Sequence, residues 1–167
     1  MTADLGPAEP RGPHRAPDDA IPASHVDLFE RDVCGVLTTM GRDGQPQSSL
    51  VWVDLSDRCP RVNTTLDRQK GRNLLRDPRV SLLIVDPDDT GRFIQVRGDA
   101  RLTTRGAIEH LDALTRAYTG RPHYYGGISP VEQAARETRV VCSIHPRRVT
   151  LDAIHAGPTG GQSDGRH

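Results

Sequence analysis

A succession of short β-rich runs separated by turn residues constrains the fold more than any other feature of this sequence. Residues 33–40 are rich in Val, Leu and Thr, and β character resumes at residues 47–55 after a turn that ends in a hairpin-favouring Asp-Gly pair. A second turn at residues 56–60 leads to a third run at residues 61–66. We therefore predict that the three runs pair as an antiparallel meander.

Three more strands are predicted further along the chain. Residues 79–86 are almost continuously apolar, which is typical of a central strand buried on both faces. Residues 92–104 alternate in polarity, and Gly98 predicts a bulge within them. Residues 139–144 and 148–154 are both β-rich and are separated by a proline-containing kink, so they form a last strand or strand pair. Long, bulged antiparallel strands favour a closed barrel.

Four helices are predicted between and around these strands. Ser24, Asp67 and Ser129 are expected to be the N-caps of three of them, because each precedes a stretch of helical character. Pro78 should end the helix that starts after Asp67, since the residue before a proline is disfavoured in the helical region. Apolar residues at helical spacing mark the fourth helix at residues 106–118. These helices are expected to cover the open side of the barrel.

Composition indicates one folded domain with two irregular ends. Residues 1–22 are proline-rich and are expected to form a disordered arm, residues 23–155 the domain, and residues 156–167 a flexible tail. The 22 basic residues balance the 22 acidic ones, so no global field favours nucleic acid or an anionic membrane. No apolar run is long enough to span a bilayer, and we expect a cytoplasmic protein.

Cysteines and histidines give no sign of a metal site or a disulfide framework. Cys34, Cys59 and Cys142 are odd in number and widely spaced, so free buried thiols are expected. His123 and His145 have no Cys, Asp or His at metal-ligand spacing. We predict no bound metal, and no sequence signature supports nucleophilic hydrolysis or phosphoryl transfer.

Residues 63–74 are the segment with the clearest chemical meaning. A strand supplies small hydroxyl and amide side chains, and the helix start that follows offers free backbone N–H groups and several cations, among them Lys70, the only lysine. This combination is typical of a phosphate-binding cradle. The alternative is an ordinary solvated basic helix with a capped start.

The sequence resembles the pyridoxamine 5′-phosphate oxidase-like split barrels, in particular the subgroup that uses the deazaflavin coenzyme F420 instead of FMN. The matching stretches are VCGVLTTMGRDGQPQSSLVWVDL, RQKGRNLLRDPRVSLLIVD and FIQVRGDARLT, of which the second is the most specific. The resemblance covers residues 33–86 and extends more loosely to residue 154. It implies a mainly β fold, a six-stranded antiparallel split β-barrel of Greek-key type, working as a homodimer with the cofactor in a groove between two protomers.

The resemblance also implies which residues bind the cofactor. In such proteins an Arg-x-Lys-x-x-Asn run after the third strand holds the phosphate, which assigns that role here to Arg68, Lys70 and Asn73. Residues of the second and third strands would line the ring and polyol, and they are Gln47, Ser48, Ser49, Trp52, Asn63, Thr64 and Thr65.

Aromatic residues leave two readings open at the sequence level. Trp52 either stacks on the cofactor ring or serves packing or an interface. Tyr124 and Tyr125 either cover the substrate side of the site or belong to a mobile surface loop.

The expected function is that of a reductase that transfers a hydride from reduced F420 to a small organic or tetrapyrrole-like acceptor. No catalytic side chain is assigned, because the cofactor carries the chemistry. Two alternatives stay open. One is an FMN-dependent oxidoreductase on the same fold, and the other is a non-catalytic barrel that binds a cofactor or haem.

Overall fold

The computed structural model describes residues 21–152, which form seven strands and three α-helices. The strands are β1 (Gly35–Met40), β2 (Pro46–Val51), β3 (Val53–Ser56), β4 (Cys59–Thr65), β5 (Arg79–Val85), β6 (Phe93–Thr103) and β7 (Arg139–Leu151). The α-helices are α1 (Asp27–Glu30), α2 (Gln69–Arg76) and α3 (Ala107–Thr119), and short 3₁₀ turns occupy Ala23–His25 and Val131–Ala135.

All seven strands belong to one antiparallel sheet in the order β2-β1-β5-β6-β7-β4-β3. β2 and β3 lie at opposite edges of this sheet, yet Trp52 alone separates them in the chain. The two edges must therefore come together, which curls the sheet into a barrel. The split-barrel prediction is confirmed. The predicted strand at residues 47–55 is divided in two because the chain crosses between edges at Trp52, so the described residues hold seven strands and not six.

Apolar side chains that alternate along the strands fill the barrel. Leu37, Leu82, Ile84 and Ile94 have no exposed surface, as expected for inward-facing positions of long strands. Ile21 belongs to the same core and is 5% exposed, so the packed domain already includes a residue that the sequence assigned to the arm. The arm at residues 1–20 and the tail at residues 153–167 lie outside the described residues.

The bulge predicted at Gly98 is present in the β6–β7 pairing. Arg97 pairs with Arg148 and Gly98 with Pro146, which leaves Arg147 as the extra residue on β7. A Cβ atom on Gly98 would lie only 2.0 Å from the backbone oxygen of His145, so the two strands approach more closely than any side chain allows. The kink expected near Pro146 is this bulge, and β7 continues through it as one strand.

None of the three predicted N-caps is confirmed. The helical segments are preceded by Pro22, Val26, Arg68 and Pro130, and none of these makes a side-chain capping bond. Ser24 lies inside the first 3₁₀ turn, where its hydroxyl is 2.9 Å from Nδ1 of His25. Asp67 and Ser129 each lie one residue before the true cap position. α2 ends at Arg76, as the proline that follows predicts. No helix within residues 21–152 has the length and apolar character to cross a membrane.

Candidate functional site

A cavity of about 200 Å³ lies between the β4–α2 junction, α3 and the segment that follows α3. Its wall combines charged, aromatic and apolar side chains. They are Asn63, Arg68, Lys70 and Arg139, the rings of Trp52 and Tyr124, and Cys34, Leu50, Val51, Leu111 and Leu114. Cations and aromatic rings on one wall suit a ligand that carries both an anionic group and a planar ring.

Lys70 reaches the cavity because α2 starts directly against the end of β4. A Cβ atom on Gly71 would lie 2.1 Å from the backbone oxygen of Thr65, so only glycine permits this approach. Arg68 is the N-cap residue of α2 and Lys70 is its second residue. The strand-to-helix junction predicted from the sequence therefore exists, and it brings both cations to the cavity.

The two cations give this end of the cavity a local positive charge. Burial and the neighbouring Arg68 guanidinium lower the pKa of Lys70 below its ordinary value of 10.5. Among residues 21–152 no side chain forms a hydrogen bond or ion pair with Lys70. Arg68 Nη2 lies 3.9 Å from Oε1 of Glu137, at the outer limit for an ion pair. A bound phosphate would give Lys70 the counter-ion that the described residues do not supply.

Arg139 pairs with Thr65 at the end of β4, so it lines the cavity next to the β4–α2 junction, and it anchors the segment after α3. Its guanidinium carbon lies 4.7 Å from the centre of the Tyr124 ring, and its Nε donates to the hydroxyl of Tyr125 at 2.8 Å. The same hydroxyl donates to Glu137 at 2.6 Å, and Arg139 Nη2 lies 2.8 Å from that carboxylate. Tyr124 is therefore held against the cavity wall and is not part of a loosely attached surface loop. Sequence reasoning missed Arg139 and Glu137, because Arg139 is 14 positions from Tyr125 in the chain and meets it only in the folded structure.

Trp52 borders the cavity with an indole ring that is stacked on Tyr118. The ring centres lie 5.3 Å apart at an angle of 18°. Tyr118 belongs to the last turn of α3, and its hydroxyl accepts from the backbone N–H of Val53 at 3.0 Å. Burial raises the pKa of Tyr118 to about 12, so this hydroxyl remains protonated at ordinary pH.

Asn63 is fixed by a polar network that sequence reasoning also missed. Its Nδ2 donates to the backbone oxygen of Ala107 at 2.7 Å and lies 3.4 Å from Nδ1 of His110. The other ring nitrogen of His110 is 3.2 Å from Asp54, which Arg61 binds through two hydrogen bonds. Burial acts to raise the pKa of Asp54, but the hydrogen bonds from His110 and Arg61 outweigh it and hold that pKa below its ordinary value.

Four of the predicted cofactor-binding residues line this cavity, namely Trp52, Asn63, Arg68 and Lys70. The other six lie elsewhere. Thr64 and Thr65 are buried on β4, Gln47, Ser48 and Ser49 are on β2, and Asn73 is completely buried in α2. The Asn73 amide donates to the Thr39 hydroxyl at 3.0 Å and accepts from Gln69 at 2.8 Å, so it is engaged with the protein interior.

The three cysteines are unpaired and occupy different environments. The expectation of buried thiols is wrong for Cys34, which is exposed and lies on the cavity wall. Cys142 is completely buried in the barrel, where burial raises its pKa to about 12. Residues 21–152 contain no group of three or more His, Cys, Asp or Glu side chains placed to hold a metal ion.

Comparison with known proteins agrees with this fold. A solved structure of an F420 reductase superposes with a TM-score of 0.65 and 28% sequence identity, over 78% of this chain and 98% of the other. Rv2991, a conserved hypothetical protein from Mycobacterium tuberculosis, gives 0.61 and 26% over 93% and 99% of the two chains. The HupZ protein of Group A Streptococcus gives 0.57 and 21% over 84% and 99%, which shows the fold alone.

The structural similarity shows the fold, and a sequence profile shows the family. The profile for pyridoxamine 5′-phosphate oxidase matches residues 21–151, which is almost the whole of the described barrel and includes every residue of the cavity wall. This chain belongs to the pyridoxamine 5′-phosphate oxidase family.

Proposed function

We propose that this protein is a reductase that transfers a hydride from reduced coenzyme F420 to a small organic or tetrapyrrole-like acceptor. One observation carries the proposal. Lys70 is a partly buried cation without a counter-ion among the described residues, it lies beside Arg68, and the same cavity presents the Trp52 ring. A cofactor with a phosphate and a planar ring satisfies both features. The similarity to an F420 reductase supports the deazaflavin as that cofactor.

The residues of this chain would bind and shield the cofactor. When bound, the deazaflavin would supply the hydride. Lys70 and Arg68 would hold its phosphate, and Trp52 would contact its ring. Leu111 and Leu114 give the wall an apolar surface that excludes water from the ring.

A homodimer is part of the proposal because the cavity of one protomer is small. Its volume of about 200 Å³ is below the range of about 300–1,000 Å³ that is typical of sites for drug-sized ligands. Leu50, on the cavity wall, is 71% exposed, which is unusual for a leucine beside a binding site. A second protomer would cover Leu50 and extend the cavity. Three free cysteines, one of them exposed, suit the reducing cytoplasm, where we place the protein.

Parallel titrations with oxidised F420 and with FMN test the cofactor assignment. Trp52 is the only tryptophan, so quenching of its fluorescence reports on the cavity. We expect quenching by F420 at micromolar concentration and a sedimentation coefficient of a dimer. FMN offers the same two recognition elements and is the direct competitor, and binding of FMN alone would replace our assignment by a flavin-dependent one.

Turnover is measured separately from binding. Reduced F420 is mixed with the protein and a panel of electron-poor acceptors, and its reoxidation is followed by absorbance. Acceptor-dependent reoxidation would support the reductase, whereas tight binding without turnover for any acceptor would indicate a protein that binds or stores the cofactor. Binding of neither cofactor would refute the proposed site.

A further inference from the structure

Tyr118 supports Trp52, a residue of the cavity wall, in two ways. Its ring stacks on the Trp52 indole with 5.3 Å between centres, and its hydroxyl bonds to the backbone of Val53, the next residue, and of Val33. The hydroxyl accepts from the N–H of Val53 at 3.0 Å, and the oxygens of Val33 and Val53 both lie within reach of its single hydrogen, at 2.9 and 3.1 Å. Tyr118 itself is not part of the cavity wall.

Trp52 needs such a support because of its place in the fold. It is the single residue between β2 and β3, at the point where the chain crosses from one sheet edge to the other. It belongs to neither strand, although Val51 before it pairs with Gly35 and Val53 after it pairs with Val62. The first fixed point after it is Val53, whose N–H and C=O are both within hydrogen-bond reach of the Tyr118 hydroxyl. Strand pairing fixes the backbone on either side of Trp52 but not its side chain, and the indole itself is stacked on Tyr118 of α3.

We propose that Tyr118 is a positioning residue that holds the Trp52 indole in the orientation on which the planar ring of the cofactor stacks. The identity of that ring rests on the proposed function, but the support of Trp52 by Tyr118 does not. An indole that is already fixed in the ligand-free protein loses less side-chain freedom when the ligand binds. Tyr118 would in this way raise the affinity for the ligand without touching it.

Two substitutions separate the ring of Tyr118 from its hydroxyl, and a third serves as control. Tyr118→Leu removes both contacts, and Tyr118→Phe keeps the ring while it removes the hydroxyl. Thr119→Ala removes a hydroxyl bond to the backbone oxygen of Thr115 in the same helical turn, without contact to Trp52. Tyr118→Phe, the milder change, remains informative if Tyr118→Leu does not fold.

The first measurement uses the protein without ligand. Fluorescence anisotropy and near-ultraviolet circular dichroism report the order of Trp52, which is the only tryptophan. We expect both signals to fall in Tyr118→Leu, to fall partly in Tyr118→Phe, and to match wild type in Thr119→Ala. Unchanged Trp52 signals in a folded Tyr118→Leu protein would overturn the inference, whatever the cofactor is.

The second measurement compares intact F420 with the deazaflavin that keeps the ribityl chain but lacks the phosphate. We expect Tyr118→Leu to weaken both ligands by about 3- to 10-fold, which is the range of an aromatic pair. Lys70→Met should weaken intact F420 alone. Reduced thermal stability with unchanged affinity for both ligands would show a purely structural role for Tyr118. Failure of the wild-type protein to bind either ligand would refute the proposed function, and the ligand-free measurement would still decide the role of Tyr118.

Discussion

Replacement of Lys70 by methionine is expected to weaken cofactor binding while it leaves the fold intact. Lys70 has no partner within the described residues, so its removal leaves no carboxylate unpaired. Loss of a hydrogen bond from a charged group costs about 1.5–3 kcal/mol, which corresponds to about a 10- to 150-fold rise in Kd. Because burial and Arg68 lower the pKa of Lys70, its charge is unfavourable in the empty site. The ligand-free variant should therefore be at least as stable as wild type.

Arg72→Met provides the matched control for this prediction. Arg72 lies on the same helix and is exposed, and its guanidinium bonds to the backbone oxygen of Asp67 and to Gln69 instead of lining the cavity. We expect Arg72→Met to change Kd by about twofold at most in physiological salt, because exposed charges are screened. Equal losses in the Lys70 and Arg72 variants would show that only the net charge of the protein matters and would refute a specific phosphate contact.

The pH dependence of binding gives a second test of the same group. An anion stabilises protonated Lys70, so affinity should be highest below the pKa of Lys70 and should fall as the pH rises through it. That fall should begin below the ordinary lysine value of 10.5, since the pKa in the empty site is lowered. In Lys70→Arg the fall should disappear, because arginine stays charged. Fluorescence titrations at several pH values measure this, and a pH-independent wild-type Kd would contradict it.

Three further predictions concern the fold and the cavity wall. Gly98→Ala places a Cβ atom 2.0 Å from the backbone oxygen of His145 and should lower the free energy of unfolding by about 3 kcal/mol and Tm by about 10 °C, measured by calorimetry. Asn73→Ala should lower the free energy of unfolding by about 2 kcal/mol through loss of its buried hydrogen bonds. A rise in the Kd for F420 as large as in Lys70→Met would instead support direct contact between Asn73 and the phosphate. Cys34, which is exposed on the cavity wall, should react with iodoacetamide faster than the fully buried Cys142. Bound F420 should slow the reaction of Cys34. Equal labelling of Cys34 with and without F420 would contradict its placement beside the ligand.

Features that depend on neighbours in the chain could be predicted from the sequence. The hairpin of β1 and β2, the bulge at Gly98 and the end of α2 before Pro78 each follow from local backbone preferences. The junction that carries Arg68 and Lys70 is also local, because a strand end and a helix start follow each other directly. Local patterns therefore located the positive end of the cavity.

Features that depend on barrel closure could not be predicted in this way. The division of the second strand at Trp52 arises because its two halves join opposite sheet edges, which no local pattern encodes. Tyr118 is 66 positions from Trp52, and Arg139 is 71 from Arg68, so only the folded chain brings them to one cavity. The family resemblance assigns Asn73 to the phosphate-binding run, and in the structure the orientation of α2 directs its amide to Thr39 inside the protein.

The approach of Gly71 to the backbone of Thr65 has a consequence for how related chains diverge. The glycine is required by the contact between α2 and β4, whether or not a ligand binds, because any side chain there would separate the helix from the strand. Lys70 has no structural partner in the described chain and would be free to vary once binding was lost. Relatives that retain the glycine but replace the lysine should therefore be folded barrels that no longer select for a phosphate. Residue 71 would therefore vary under the constraint of the fold, and residue 70 under the constraint of ligand binding.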